Sequence, residues 1–149
     1  MEIKRVLVDT NIYIEFMRGD GEITKTLQTA EIIAFSVISI AELLAGFKNT
    51  KKEQNYLKEL DDFLDSPRML IYDIDTETSE FYAKIYDELK KIGIPIPTND
   101  LWIASLALQH GIKLLTLDNH FKNVPGIFLL KTCQKASDFN RGDEWQGLK

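Results

Sequence analysis

Residues 3–14 read IKRVLVDTNIYI. Val6, Leu7 and Val8 form an apolar, β-favouring run that stops at Asp9-Thr10-Asn11. Apolar residues at helical spacing then resume from Ile12 to Met17. A short apolar run closed by turn formers marks a strand buried on both faces, as in a parallel sheet. Ile3 to Val8 is therefore predicted as the first strand and Ile12 to Met17 as the first helix. The expected consequence is a carboxylate, Asp9, at the carboxyl end of a central strand.

The same alternation continues along the chain. Gly19 and Gly21 break the first helix, and Ile23 to Thr29 reads as another short one. Ile32 to Ser36 is a second strand. Ile40, Leu43, Leu44 and Phe47 share one face of a helix from Ile38 to Phe47. Lys51 to Leu64 is a helix with Tyr56, Leu57, Leu60, Phe63 and Leu64 as its buried stripe, ended by Ser66-Pro67. Met69 to Tyr72 is a third strand. Thr76 to Ile92 is a long amphipathic helix with Tyr82, Ile85, Tyr86, Leu89 and Ile92 inward, and Gly93 caps it. After Ile94-Pro95-Ile96-Pro97, Thr98 or Asn99 caps a helix that runs to His110. Lys113 to Leu117 and Ile127 to Leu130 are the fourth and fifth strands. Strands separated by helices imply a parallel sheet covered on both faces. With no internal repeat and no linker, residues 1–149 are expected to form one domain, with 137–149 as a loose polar tail.

Composition removes several function classes. The chain has 149 residues, 44% hydrophobic, with a net charge of −5, which argues against holding nucleic acid by bulk positive charge. No apolar run approaches the roughly 18 residues of a membrane span. The first residues lack the apolar segment of a signal peptide, so a cytoplasmic protein is the expectation. The single cysteine, Cys133, precludes an intrachain disulfide and is read as a passive thiol. No phosphate loop, dinucleotide fingerprint or nucleophile elbow is present. His110 and His120 show no paired-ligand spacing. Trp102 falls at core spacing, and Trp145 stands apart in the polar tail. The polar residues that stand out against apolar surroundings are carboxylates.

Each of four acids has a structural reading of its own. Asp9 fits a strand-end turn or a helix cap. Glu42 fits a capping box with Ser39. Asp100 opens a helix, where the dipole favours an anion. Asp118-Asn119 is a common turn pair. The combination is what these readings leave over. Two acids end strands, and two begin helices able to pack beside those ends, where α/β sheets bind ligands. Gathered carboxylates repel one another and resist ionisation unless a cation neutralises them. Acids without histidine or cysteine partners point to Mg2+ or Mn2+ rather than zinc.

The segments VLVDTNIYI, SVISIAEL, PTNDLWIAS and LLTLDNHF, in this order and spacing, resemble the four acidic blocks of the PIN-domain ribonucleases. They are most similar to the single-domain toxins of the VapC type. The resemblance runs from about Val6 to Leu130. It implies a PIN-like three-layer α/β/α sandwich with a parallel sheet of four to five strands. It maps the metal-binding acids onto Asp9, Glu42, Asp100 and Asp118, and the small polar residues beside them onto Thr10, Asn11 and Thr116. Many members carry a further acid two places after the last aspartate, where this chain has His120. The family also implies an endoribonuclease dependent on Mg2+ or Mn2+, acting on RNA. It further implies a homodimer and inhibition by a small VapB-like antitoxin.

The chemistry these residues permit is metal-assisted hydrolysis of a phosphodiester, with the cation acidifying water and stabilising the leaving oxygen. Thr116 reads equally as a positioner of the attacking water and as a β-branched strand residue. The four acids account for all but one unit of the net charge of −5. Lys48, Lys51, Lys52 and Lys58, with Arg18, read first as solvated charges and second as RNA-backbone contacts. Two other classes compete. A haloacid-dehalogenase-like phosphatase would need an aspartate where Asn11 stands. A catalytically inactive PIN-fold protein-binding module would not need to keep all four acids. The short helices Ile12 to Met17 and Ile23 to Thr29 are expected to leave a groove for a partner helix.

Overall fold

The computed structural model describes residues 3–130. Cys133, Trp145 and the polar tail lie outside the described residues. Five strands are present: β1 (Ile3–Val8), β2 (Ala30–Ser36), β3 (Met69–Tyr72), β4 (Lys113–Leu115) and β5 (Leu129–Leu130). They form one parallel sheet in the order β3-β2-β1-β4-β5. The helices are α1 (Thr10–Met17), α2 (Gly21–Thr29), α3 (Val37–Phe47), α4 (Glu53–Leu64), α5 (Thr76–Lys91) and α6 (Thr98–Gln109). A short 3-10 helix spans Asn119–Asn123.

Side-chain alternation along the central strands assigns the helices to two layers. Val6, Val8, Ile33, Phe35 and Leu115 point into one core with residues of α1 to α4. Leu7, Ala34 and Leu114 point into the other with residues of α5 and α6. The chain is thus a three-layer α/β/α sandwich. In the first core, Phe63 packs edge-on against Tyr13 and Phe35, with ring centroids 4.9 and 5.7 Å apart. Arg68 ties the sheet to α2 by donating from Nη1 to the carbonyls of Leu27 at 3.0 Å and Ala30 at 2.6 Å.

Several boundaries differ from the sequence reading. α6 starts after Pro97, so neither Thr98 nor Asn99 caps it. The N-cap of α3 is Ser36, whose hydroxyl accepts from the Ser39 N–H at 3.0 Å, so the expected Ser39–Glu42 capping box is absent. α5 has a capping box, built from Asp75 and Thr78. β4 ends at Leu115 rather than Leu117, because the chain turns there toward the 3-10 helix. Leu44, Tyr86 and Ile92 lie on the predicted inward stripes, yet they are exposed. A stripe written on a helix is wider than the strip of sheet it covers. Gly93 closes α5 at φ 72°, the left-handed conformation that favours glycine. Trp102 packs on Tyr82 and His110 stacks on Tyr72, with ring centroids 4.2 and 3.9 Å apart.

Candidate active site

The order β3-β2-β1-β4-β5 puts β2 and β3 on one side of β1 and β4 and β5 on the other, so the chain winds outward in opposite directions on the two sides of the β1–β4 pair. That reversal opens a crevice beyond the carboxyl end of β1. Asp9 stands there as the first residue after the strand. Its backbone N–H donates to the Leu115 carbonyl at 3.0 Å, which extends the β1–β4 ladder to the acid itself. Its side chain is buried, 4% exposed. Oδ1 accepts from the Thr10 N–H at 2.8 Å and Oδ2 from the Thr116 hydroxyl at 2.7 Å.

Thr116 gives its proton to Asp9 and accepts the Asp118 N–H at 3.0 Å. It therefore orients a carboxylate and joins two acids. Thr116 lies just beyond the end of β4 rather than in the strand. Asn11 works similarly at the backbone level, with Oδ1 accepting from the Leu117 N–H at 3.3 Å. The Thr10 hydroxyl lies 2.7 Å from Glu42 Oε1 and 2.8 Å from Ser39 Oγ, and Ser36 Oγ is 3.3 Å from Ser39 Oγ. Its single proton serves the carboxylate, the stronger acceptor. Glu42 is thus tied to the start of α1 rather than to its own helix. Ser36 and Ser39 support the site, although the sequence does not single them out for it. Their three-residue spacing before Glu42 is the available signal, and on sequence alone it reads as a cap.

Asp100 makes no capping bond to α6. With Asp118 and His120 it forms a compact trio, one ligand atom from each lying within 4.8 Å of the others. Their side chains are 16%, 14% and 41% exposed. The His120 N–H donates to Asp118 Oδ1 at 2.8 Å. His120 Nδ1 lies 3.0 Å from Asp118 Oδ1 and 3.5 Å from Asp100 Oδ2. The expectation of acids without a histidine partner is corrected here. The 3-10 turn after Asp118 folds His120 back onto the acids, a contact that no His-pair spacing announces. Asp9 and Glu42 do not join the trio but act on it electrostatically.

Burial pushes the Asp9 carboxyl up to about 7. Repulsion from Asp100 and Glu42 adds to this, while the hydrogen bonds from Thr116 and Thr10 oppose it. Burial likewise raises Asp100 to about 6, helped by Asp118 and Glu42 and opposed by His120. Mutual repulsion, the cause expected from the sequence, is second to desolvation. Carboxylates held in a pocket that disfavours their charge suit a divalent cation, which would supply the missing countercharge. The donor set fits such an ion.

The fold and the acids together define an α/β protein with an acidic cluster at the carboxyl edge of its sheet. The chain belongs to the PIN domain family, whose sequence profile matches residues 6–127. It is 36% identical over 128 residues to Ribonuclease VapC2 of Rickettsia felis, covering 83% of this chain and 94% of that one. It is 29% identical over 129 residues to Ribonuclease VapC4 of Mycobacterium tuberculosis, covering 85% and 96%. Among solved structures it resembles VapBC2 from Rickettsia felis bound to a promoter DNA fragment. There the TM-score is 0.77 at 29% identity, over 86% of this chain and 98% of that one. It also resembles VapBC-1 from nontypeable Haemophilus influenzae, with a TM-score of 0.75 at 25% identity, over 85% and 97%. Membership of this family sets aside the haloacid-dehalogenase alternative. Asn11 agrees locally, because its side chain is occupied by the Leu117 N–H.

Three of the basic residues singled out in the sequence have acidic partners. Arg18 pairs with Glu15 at 2.6 Å, Lys48 with Glu53 at 3.7 Å and Lys58 with Asp62 at 3.1 Å. Ile23 and Leu27 of α2 are buried in the core, so these two side chains do not line a groove between α1 and α2. A cleft beside α1 is bounded instead by Phe47 of α3 and by Tyr56 and Glu59 of α4. No helix among the described residues is long and apolar enough to cross a membrane.

Proposed function

We propose that this chain is an endoribonuclease that hydrolyses RNA phosphodiesters with Mg2+ or Mn2+, and that a small VapB-like antitoxin restrains it. The observation that carries the reading is the meeting of Asp9, Glu42, Asp100 and Asp118 at one crevice. Relatives named Ribonuclease VapC, and toxin–antitoxin neighbours in which such chains are paired with partners, support it. The family likeness also favours a homodimer as the working form.

When bound, the cation acidifies water and offsets charge on the phosphodiester. The chain's own residues do the rest. Asp100 and Asp118 would hold the ion, and Asp9 and Glu42 would complete its negative surroundings. Thr116 and Thr10 keep the carboxylates of Asp9 and Glu42 aimed without thermal search, which is the preorganisation that electrostatic catalysis needs. Ala41, Ala45 and Gly46 leave an open depression of about 500 Å³ beside Glu42 and Asn99. A depression this open suits a polymer strand better than an enclosed small molecule.

Purified protein with a structured RNA, in Mn2+, Mg2+ or EDTA, tests the reading. Internal cleavage is expected with metal, none in EDTA and none from Asp9→Asn. Undiminished cleavage in EDTA, or equal cleavage by the variant, would overturn it. Co-purified antitoxin should suppress the metal-dependent activity.

A further inference from the structure

We propose that His120 Nδ1 is itself a metal ligand, so that the site prefers a nitrogen-accepting cation, Mn2+ or a later divalent metal, over Mg2+. The inference rests on the reading of this crevice as a cation site and adds the identity of one donor. The Nδ1 atom is buried and has no hydrogen-bond partner among the described residues, although the ring edge reaches solvent. Two carboxylate oxygens stand 3.0 and 3.5 Å from it. A ring nitrogen and two carboxylate oxygens turned on one point are well placed for a cation among them.

The distances agree with that role. Donors about 2.1 Å from one ion stand roughly 3.0 Å apart at right angles and roughly 4.2 Å apart when opposed. The trio's spacings of 3.0 and 3.5 Å fall in this range, and all three atoms lie within 4.8 Å of one another. The ring is also held in place. Asp118 Oδ1 accepts the backbone N–H of His120 at 2.8 Å, so one tight turn fixes the carboxylate and presents the imidazole beside it. Mg2+ takes hard oxygen donors almost exclusively, whereas imidazole suits the transition metals. Replacing one oxygen donor by nitrogen therefore shifts preference away from Mg2+.

Pulsed electron paramagnetic resonance of the full-length protein with one equivalent of Mn2+ tests this without any assay of activity. Wild type should show nitrogen modulation from a directly bound imidazole, and His120→Asp should bind Mn2+ without it. Titration should show the ratio of Mn2+ to Mg2+ affinity falling roughly tenfold or more in His120→Asp. Circular dichroism confirms that the half-exposed substitution leaves the fold intact. Bound Mn2+ without nitrogen modulation in wild type, or an unchanged affinity ratio, would overturn the assignment of His120 alone. Failure of wild type to bind either cation, at concentrations that saturate a control metal protein, would instead remove the cation site and the proposed function with it.

Discussion

Asp9→Asn should stabilise the metal-free protein, and more so at high pH. The Asp9 carboxyl is pushed up to about 7 in the folded chain, against an ordinary value of about 3.9 when unfolded. Between those values the folded state binds the extra proton, so stability falls as pH rises from about 4 to about 7 and levels off above. A tenfold weaker acid in the folded state corresponds to about 1.4 kcal/mol. The penalty is then about 4 kcal/mol at pH 8 and about 1.5 kcal/mol at pH 5. Asparagine carries no charge, caps a helix about as well as aspartate, and keeps an acceptor for the Thr10 N–H. The substitution should therefore gain about 3 kcal/mol more at pH 8 than at pH 5. For a chain of this size, that difference amounts to about 6–12 °C in Tm. Urea unfolding in EDTA at both pH values measures it. Excess Mn2+ should narrow the gap at pH 8 and reverse the ranking at pH 5, because the wild type gains RT ln(1 + [L]/Kd), about 2.7 kcal/mol at a hundredfold excess. Equal effects of the substitution at the two pH values would refute the argument that Asp9 is buried against its own charge.

Three further outcomes follow from single contacts. Thr116→Val removes a donor to Asp9 and an acceptor for the Asp118 N–H, so kcat should fall roughly 10–100-fold with KM little changed; steady-state cleavage of a fluorogenic RNA reads it. Arg68→Met leaves the carbonyls of Leu27 and Ala30 without their guanidinium and should cost about 1–3 kcal/mol in denaturant unfolding, with cleavage unaffected at a permissive temperature. Phe63→Ala empties the space between Tyr13 and Phe35; a fully buried phenylalanine would cost about 3–5 kcal/mol, and this half-buried one about 2–3 kcal/mol by thermal melting.

The sheet is legible because parallel strands must be apolar on both faces, and VLV and AFS advertise that without help from distant residues. The helix stripes are legible for the same reason, with errors where a stripe outruns the sheet, as at Tyr86 and Ile92. The acids are legible as a pattern, but their supports are not. Ser39 and Thr116 look like any capping serine and any strand threonine until Thr10 and Asp9 arrive beside them across 29 and 107 residues. His120 is hidden differently. Its role depends on a single turn of 3-10 helix after Asp118, and Asp-Asn-His carries no periodicity from which such a turn can be read. Local chemistry announces elements; contacts between elements need the topology first.

The hydrogen bond from Thr116 to Asp9 also has a consequence for biosynthesis. A growing chain emerges in order, and Asp9 precedes Thr116 and Asp118 by more than a hundred positions. Until β4 has been made and has docked against β1, half of the crevice does not exist. Asp9 then has neither the donor that orients it nor the trio that would share its ion. On the proposed reading, a nascent copy therefore lacks a finished site until β4 has closed the sheet against β1. A copy cut short before Lys113 would be inert for the same reason, however well its first three strands had assembled.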